Sequence, residues 1–171
     1  MFDNIRQDLR AHGGDWAAQG FWALLVYRFG RWRYSVRPAL LRKPFSLLYR
    51  VLYKLVQIVT GIELPCEVVL GPHFVIDHFG GIVISGYARF GAHCRIRNGV
   101  VVGLKNPHKP CAPRMGDHVD IGAGAKVLGD ITIGNNVSIG ANAVVTRSVP
   151  DNCIAVGNPA VIKPKKKVQG A

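Results

Sequence analysis

Residues 115–145 read MGDHVDIGAGAKVLGDITIGNNVSIGANAVV, and their spacing decides the fold. Met115, Ile121, Val127, Ile133, Ile139 and Val145 stand six apart without a miss, and Gly116, Gly122, Gly134 and Gly140 follow four of them. A second small or β-branched residue comes four places after each: Val119, Ala125, Ile131, Val137, Ala143. A period of six fits neither a helix nor a simple strand. It fits a parallel β-helix in which each hexad makes one short flat strand and a turn, and three hexads close one triangular coil. The aliphatic residue fills the prism, the small residue fills what remains, and stacked coils satisfy each other's backbone groups.

The same period runs backwards through Val102, Ile96, Phe90 and Ile84, and again through Ile82 and Ile76. LKNPHKPCAPR, Leu104 to Arg114, interrupts it and reads as an extended loop able to reach a neighbouring subunit. Residues 1–62 have another grammar. FWALLVYRFGRW and FSLLYRVLYKLVQIV are apolar runs broken by Arg and Lys, the second with helical spacing at Leu48, Val51, Leu52, Leu55, Val56 and Val59. VRPALLRKP, with Pro38 and Pro44, reads as the break between two helices. Neither run reaches the roughly 18–20 uninterrupted apolar residues of a membrane span. The expected architecture is α+β: a basic helical region over 1–62, a β-helix over 63–162 of about four coils, and a basic tail over 163–171.

The net charge of +12 is concentrated at the two ends of the chain. Residues 1–62 carry ten Lys/Arg against three acids, and Lys163 to Lys167 add four lysines. No nucleic-acid motif accompanies the charge, so nucleic acid is not the expected partner. An anionic membrane surface is, through residues 1–62. Cys66, Cys94, Cys111 and Cys153 include no CxxC pair, and MFDNIRQDLR lacks the apolar core of a signal peptide. The expectation is a cytoplasmic protein with free thiols, working at the inner face of the plasma membrane.

Within VIDHFGGIVI, Val75 to Ile84, an aspartate and a histidine precede two glycines. Counting back six from Ile84 puts His78 in an inward slot, where a lone imidazole would be inert. Gly80 and Gly81 leave room for an irregularity that turns it outward.

DHFGGIVI and IGAGAKVLGDI resemble serine acetyltransferases. The helical lead-in and LGDITIGNNVSIGANAVVTRSVPDN resemble still more the acetyltransferases of exopolysaccharide gene clusters, of the colanic-acid kind. The resemblance implies a left-handed β-helix, a homotrimer with stacked trimers as a variant, acetyl-CoA as donor, no metal, and a site shared between subunits. It implies His78 as general base, Glu63 in GIELP as the carboxylate that orients it, and Asp77 as a holder of the acceptor. It implies Gly103 as the source of a backbone oxyanion donor, Ala123 and Ala141 beside the pantetheine arm, and Thr146 and Arg147 near the nucleotide, with Lys163 and Lys165 for its phosphate. The chemistry asks for such groups independently: a hydroxyl attacking a thioester needs a base that exchanges its proton near neutral pH, and a carboxylate on the far ring nitrogen fixes the tautomer.

Serine acetyltransferases carry Arg-His-Pro before the hexads resume; here Cys111 and Ala112 stand in place of Arg and His. A free amino acid brings a carboxylate that needs a partner, and a sugar hydroxyl does not. The expected acceptor is therefore a glycan or lipid-linked glycan, with serine as the alternative. Two further alternatives are a zinc lyase of the β-helix carbonic anhydrase type, suggested by the HxxxxH spacing of His73 and His78, and a non-catalytic scaffold.

Overall fold

The computed structural model describes residues 2–106, 108 and 110–166. Residues 167–171 of the expected tail, and Pro107 and Lys109 of the loop, lie outside the described residues.

Three helices come first: α1 (Phe2–Ala11), α2 (Gln19–Trp32) and α3 (Ala39–Thr60), with a single 3-10 turn at Arg33–Ser35. The break between the two long helices is shorter than the prolines suggest. Pro38 stands just before α3, but Pro44 lies inside it. A proline there forfeits one hydrogen bond of the ladder, and Phe45 on the same turn packs against Phe29 and Trp32.

The chain then winds into a left-handed parallel β-helix. The first coil is β1 (Ile62–Glu63), β2 (Val69–Leu70) and β3 (Val75–Asp77); the second is β4 (Ile82–Ile84), β5 (Arg89–Phe90) and β6 (Arg95–Arg97). The third is β7 (Val101–Gly103), β8 (Arg114–Met115) and β9 (Asp120–Ile121); the fourth is β10 (Lys126–Leu128), β11 (Thr132–Ile133) and β12 (Ser138–Ile139). β13 (Val144–Val145) and β14 (Cys153–Val156) make a fifth, partial coil, and β15 (Val161–Pro164) turns back antiparallel on β14. The coils number about five, not four, because pairing begins at Ile62, ahead of the first clear hexad. Face F1 is β1-β4-β7-β10-β13, face F2 is β2-β5-β8-β11, and face F3 is β3-β6-β9-β12-β14-β15.

The predicted inward residues line the prism. Ile76, Ile96, Ile121 and Ile139 stack inside F3, Ile84, Val102, Val127 and Val145 inside F1, and Phe90, Met115 and Ile133 inside F2, all at most 5% exposed. Each such chain contributes roughly 1.5–3 kcal/mol by leaving water.

The helices close one end of the prism by taking its free backbone groups. Ile62 N–H donates to Thr60 Oγ1 at 3.2 Å, and Cys66 N–H to the Tyr49 hydroxyl at 3.0 Å. Tyr27 donates its hydroxyl proton to Val68 O at 2.8 Å, and Ile76 N–H donates to His12 Nε2 at 3.3 Å. His12 Nδ1 in turn donates to Asp8 O at 2.7 Å, which fixes the ring tautomer. α1 is held to α2 by a buried bidentate pair, Arg28 Nε to Asp8 Oδ2 at 2.9 Å and Nη2 to Oδ1 at 3.1 Å. At the far end β15 covers β14, and Val144 exchanges backbone hydrogen bonds with Gly157 and Ala160.

Candidate active site

His78 is exposed, and a change of coil length is what exposes it. Coils pair eighteen residues apart at Ile84↔Val102 and Val127↔Val145, but Ile62 pairs with Ile82, twenty apart. The inward residues Ile76 and Ile84 are thus eight apart instead of six. The two extra residues fall in the corner between F3 and F1, where His78, Gly80 and Gly81 all take positive φ, 66°, 95° and 66°. Glycine accepts that backbone without a Cβ clash. The corner is anchored below by Gly80 N–H to Thr60 O at 2.9 Å and above by Gly99 N–H to Gly80 O at 2.8 Å.

Asp77 and His78 part company although they are adjacent. Asp77 lies on the outer surface of F3, its carboxylate accepting from Arg95 Nη1 at 2.6 Å with Arg97 Nε at 4.0 Å. Arg97 also donates to Asp120, whose carboxylate raises the guanidinium pKa above its usual value. Glu63 flanks the His78 corner from F1, two residues beyond Gly61, and accepts from Gln57 Nε2 at 3.0 Å. No side-chain hydrogen bond among the described residues joins Glu63 or Asp77 to the His78 ring. Tyr53 is pushed up to about 12 by burial first and by Glu63 second.

The remaining predicted residues divide between two edges of F1. Ala123 and Ala141 continue the His78 edge upward, joined by Asn142 N–H to Ala123 O at 2.8 Å. Gly103 ends β7 near the opposite edge, between F1 and F2, and a Cβ on it would meet nothing within 4 Å. That edge also carries Thr146, Arg147 and the interrupting loop, whose Lys105 and Cys111 line a cavity of about 570 Å³ with Gly129, Asp130 and Thr146. Arg147 donates to Ala160 O at 3.3 Å. Lys163 pairs with Ile154 on F3, a different face, and Lys165 Nζ donates to Asn136 Oδ1 at 2.8 Å. Arg114 is exposed on F2 beside Arg89 and is not among the described residues that line the loop cavity. Ala112 and Pro113 are buried.

The outer surfaces of the faces differ. F2 presents Arg89, Arg114 and Thr132; F3 presents Asp77, Arg95, Arg97 and Asp120. F1 presents Val83, Val101, Leu128 and Val144, with Glu63 at its first-coil end. Its one lysine folds away, Lys126 Nζ donating to Gly99 O at 2.6 Å and Gly124 O at 2.9 Å.

The HxxxxH pair does not converge. His73 stacks on His93 at 4.5 Å between ring centroids, and His93 on His118 at 4.7 Å, in the corner between F2 and F3; β3 separates them from His78. This ladder and the Asp77–Arg95–Arg97–Asp120 network escaped the sequence reading. The histidines are twenty and twenty-five positions apart and the Asp77–Arg95 and Arg97–Asp120 contacts eighteen and twenty-three, so they become neighbours only once coil lengths are known. The four cysteines are free, three of them buried, with Cys94 raised to about 11 by burial.

Residues 112–147 match the family model described as "Bacterial transferase hexapeptide (six repeats)". A serine acetyltransferase of Synechococcus elongatus is 40% identical over 141 residues, covering 82% of this chain and 55% of that protein. The Escherichia coli K12 protein assigned, as WcaB, the role of a colanic acid biosynthesis acetyltransferase is 35% identical over 162 residues, covering 92% of this chain and 97% of that one. The crystal structure of serine acetyltransferase from Brucella abortus superposes with a TM-score of 0.82 at 27% identity, covering 96% of this chain and 69% of that one. The chain therefore spans about half the length of the Synechococcus relative and nearly all of WcaB.

Proposed function

Because this chain belongs to the hexapeptide-repeat transferases, in the family that holds the serine acetyltransferases and WcaB, we propose that it transfers the acetyl group of acetyl-CoA to a sugar hydroxyl of an exopolysaccharide precursor, with His78 as general base. The observation that carries the catalytic part is the two-residue insertion that turns His78 out of the prism onto the edge of its one apolar face. From there the imidazole takes the hydroxyl proton as the oxygen attacks. Acetyl-CoA supplies the acetyl group as a thioester. Gly103 leaves open space where a side chain would stand, so an acyl group can approach its backbone, and a backbone N–H beside it would donate to the developing oxyanion. Ala123 and Ala141 keep the His78 edge low enough for a pantetheine arm to lie along it. Glu63 becomes the orienting carboxylate once the His78 ring turns toward F1. Asp77, already paired with Arg95, acts through the Arg95–Arg97 network in holding the acceptor.

One subunit holds the two halves of such a site on opposite edges of F1. A threefold assembly with F1 turned toward the axis lays the His78 edge of each copy beside the Gly103–Thr146 edge of the next. The apolar surface of F1 favours that packing. Val101→Glu is therefore expected to convert a trimer to monomers in light scattering and to abolish transfer. A wild-type chain that is monomeric at micromolar concentration overturns the shared site.

The acceptor is read from the loop. Cys111 and Ala112 provide no cation, Arg114 lies on F2 outside the cavity lining, and Lys105 shares its cavity with Asp130. A lipid-linked sugar would be met at the cytoplasmic face of the plasma membrane. Similarity to serine acetyltransferases favours serine as the second reading. One assay separates them: acetyl-CoA with free serine, and separately with oligosaccharides of the host's own exopolysaccharide. Transfer to glycan alone is expected; efficient serine acetylation without glycan transfer reverses the assignment.

A further inference from the structure

The outward side of α3 is apolar and uncovered within the subunit. Leu40, Leu47, Val51, Leu55, Ile58 and Val59 fall on one side of the helix and are 49–72% exposed. Tyr49 and, in part, Leu52 and Val56 face the opposite way and pack on the core. Lys43, Arg50 and Lys54 run along one border of the apolar side, and all three are exposed. We propose that this face docks the protein on the surface of an anionic phospholipid bilayer, the helix lying in the plane of the headgroups.

Charge selects a bilayer over a second copy of the chain. Between Asp15 and Glu63 there is no acidic residue and there are eight Lys/Arg. Arg28 is taken by Asp8, and Arg33 lies over the rings of Tyr34 and Tyr49. The remainder have no carboxylate within this region to pair with, so two such faces brought together would oppose cation to cation. An anionic bilayer offers apolar depth for the leucines and phosphates for the border. At 22 residues the helix is about 33 Å long, yet no helix among the described residues is long and apolar enough to cross a membrane. Lying flat is the arrangement that satisfies both its sides. α3 leads directly into β1 and closes the first coil. In a threefold assembly with parallel prisms, the three helices would share one end and meet one surface.

The proposal deepens the reading of a membrane-borne acceptor, but its test is read without acetyl transfer. The full chain is floated with vesicles of phosphatidylcholine, with and without phosphatidylglycerol. Binding is expected only with phosphatidylglycerol, and high salt should weaken it. Lys43→Glu/Arg50→Glu should lower partitioning by at least about twenty-fold, each basic residue contributing roughly fivefold. Leu55→Glu/Ile58→Glu should abolish it with an unchanged circular dichroism spectrum. Equal binding to neutral vesicles, or no loss in either variant, overturns the proposal. So does a wild-type chain that stays off vesicles while Leu55→Glu/Ile58→Glu breaks a larger assembly into trimers, which makes the face a contact between copies. Vesicle binding without glycan acetylation would leave docking intact and remove only the acceptor assignment.

Discussion

His78→Ala is expected to lower the acetyl-transfer rate by at least about a hundred-fold while leaving acetyl-CoA affinity, measured by calorimetry, near that of wild type. The magnitude is that of a lost general base, and the expected split between rate and affinity follows from position. The His78 ring is exposed and makes no hydrogen bond among the described residues, so its removal leaves no buried group among them unpaired. Its backbone sits at φ 66°, a region histidine enters more readily than alanine, so the exchange adds a small strain confined to an exposed corner. The neighbouring Gly80 and Gly81 keep the corner's shape. Glu63→Gln should lose less than His78→Ala, since Glu63 acts through the ring. A His78 variant with near-wild-type turnover on its true acceptor removes the histidine from the mechanism.

The largest expected loss of stability is at Asp8. Its side chain is 1% exposed and that of Arg28 10%, and two hydrogen bonds join them. Asp8→Ala leaves a guanidinium buried without its counter-charge, a change that typically costs about 3–5 kcal/mol. The pair connects α1 to α2, so the damage should spread: α1 leads directly into His12, and His12 Nε2 accepts the Ile76 amide of β3, the strand that ends at Asp77 just before His78. Chemical denaturation at fixed protein concentration should show the loss, and hydrogen exchange should place it first in α1 and at Ile76. Asp8→Ala combined with Arg28→Ala should be less destabilised than Asp8→Ala alone, because no charge is then stranded. A cost below about 1 kcal/mol for Asp8→Ala would mean that water reaches the pair.

The prism was legible because a hexad constrains every sixth residue physically: Ile121, Val127 and Ile133 have nowhere to go but inward. The helical region was legible as helix but not in its detail. Pro44 looked like a terminator because proline costs a helix one bond locally, and sequence alone does not display the aromatic packing around Phe45 that outweighs it. The position of His78 could have been solved from spacing. Leu64, Leu70 and Ile76 count forward by six and Val102, Ile96, Phe90 and Ile84 count back by six, and the two series are out of phase by two residues at His78. Relations between coils were not legible. Asp77 meets Arg95, and His73 meets His93, only because the first coil is twenty residues long, and Arg97 meets Asp120 only because the next step on F3 is twenty-five. The apolar outer side of α3 was read as part of a helical face without a direction, because nothing in the periodicity says which of two apolar sides meets the core.

The two closed ends of the prism also limit what the molecule can become. A stack of parallel strands is a template: its last coil offers a row of unpaired amides and carbonyls to any extended chain, including another copy of itself. Here the first coil's row is occupied by Thr60, Tyr49, Tyr27 and His12, and on F3 the last coil is covered by β15, which runs antiparallel and so breaks the parallel stacking. The repeat itself contains no instruction to stop. Termination is written in the non-repeating residues at either end, and these keep a sequence with the grammar of a fibre from polymerising along its own axis.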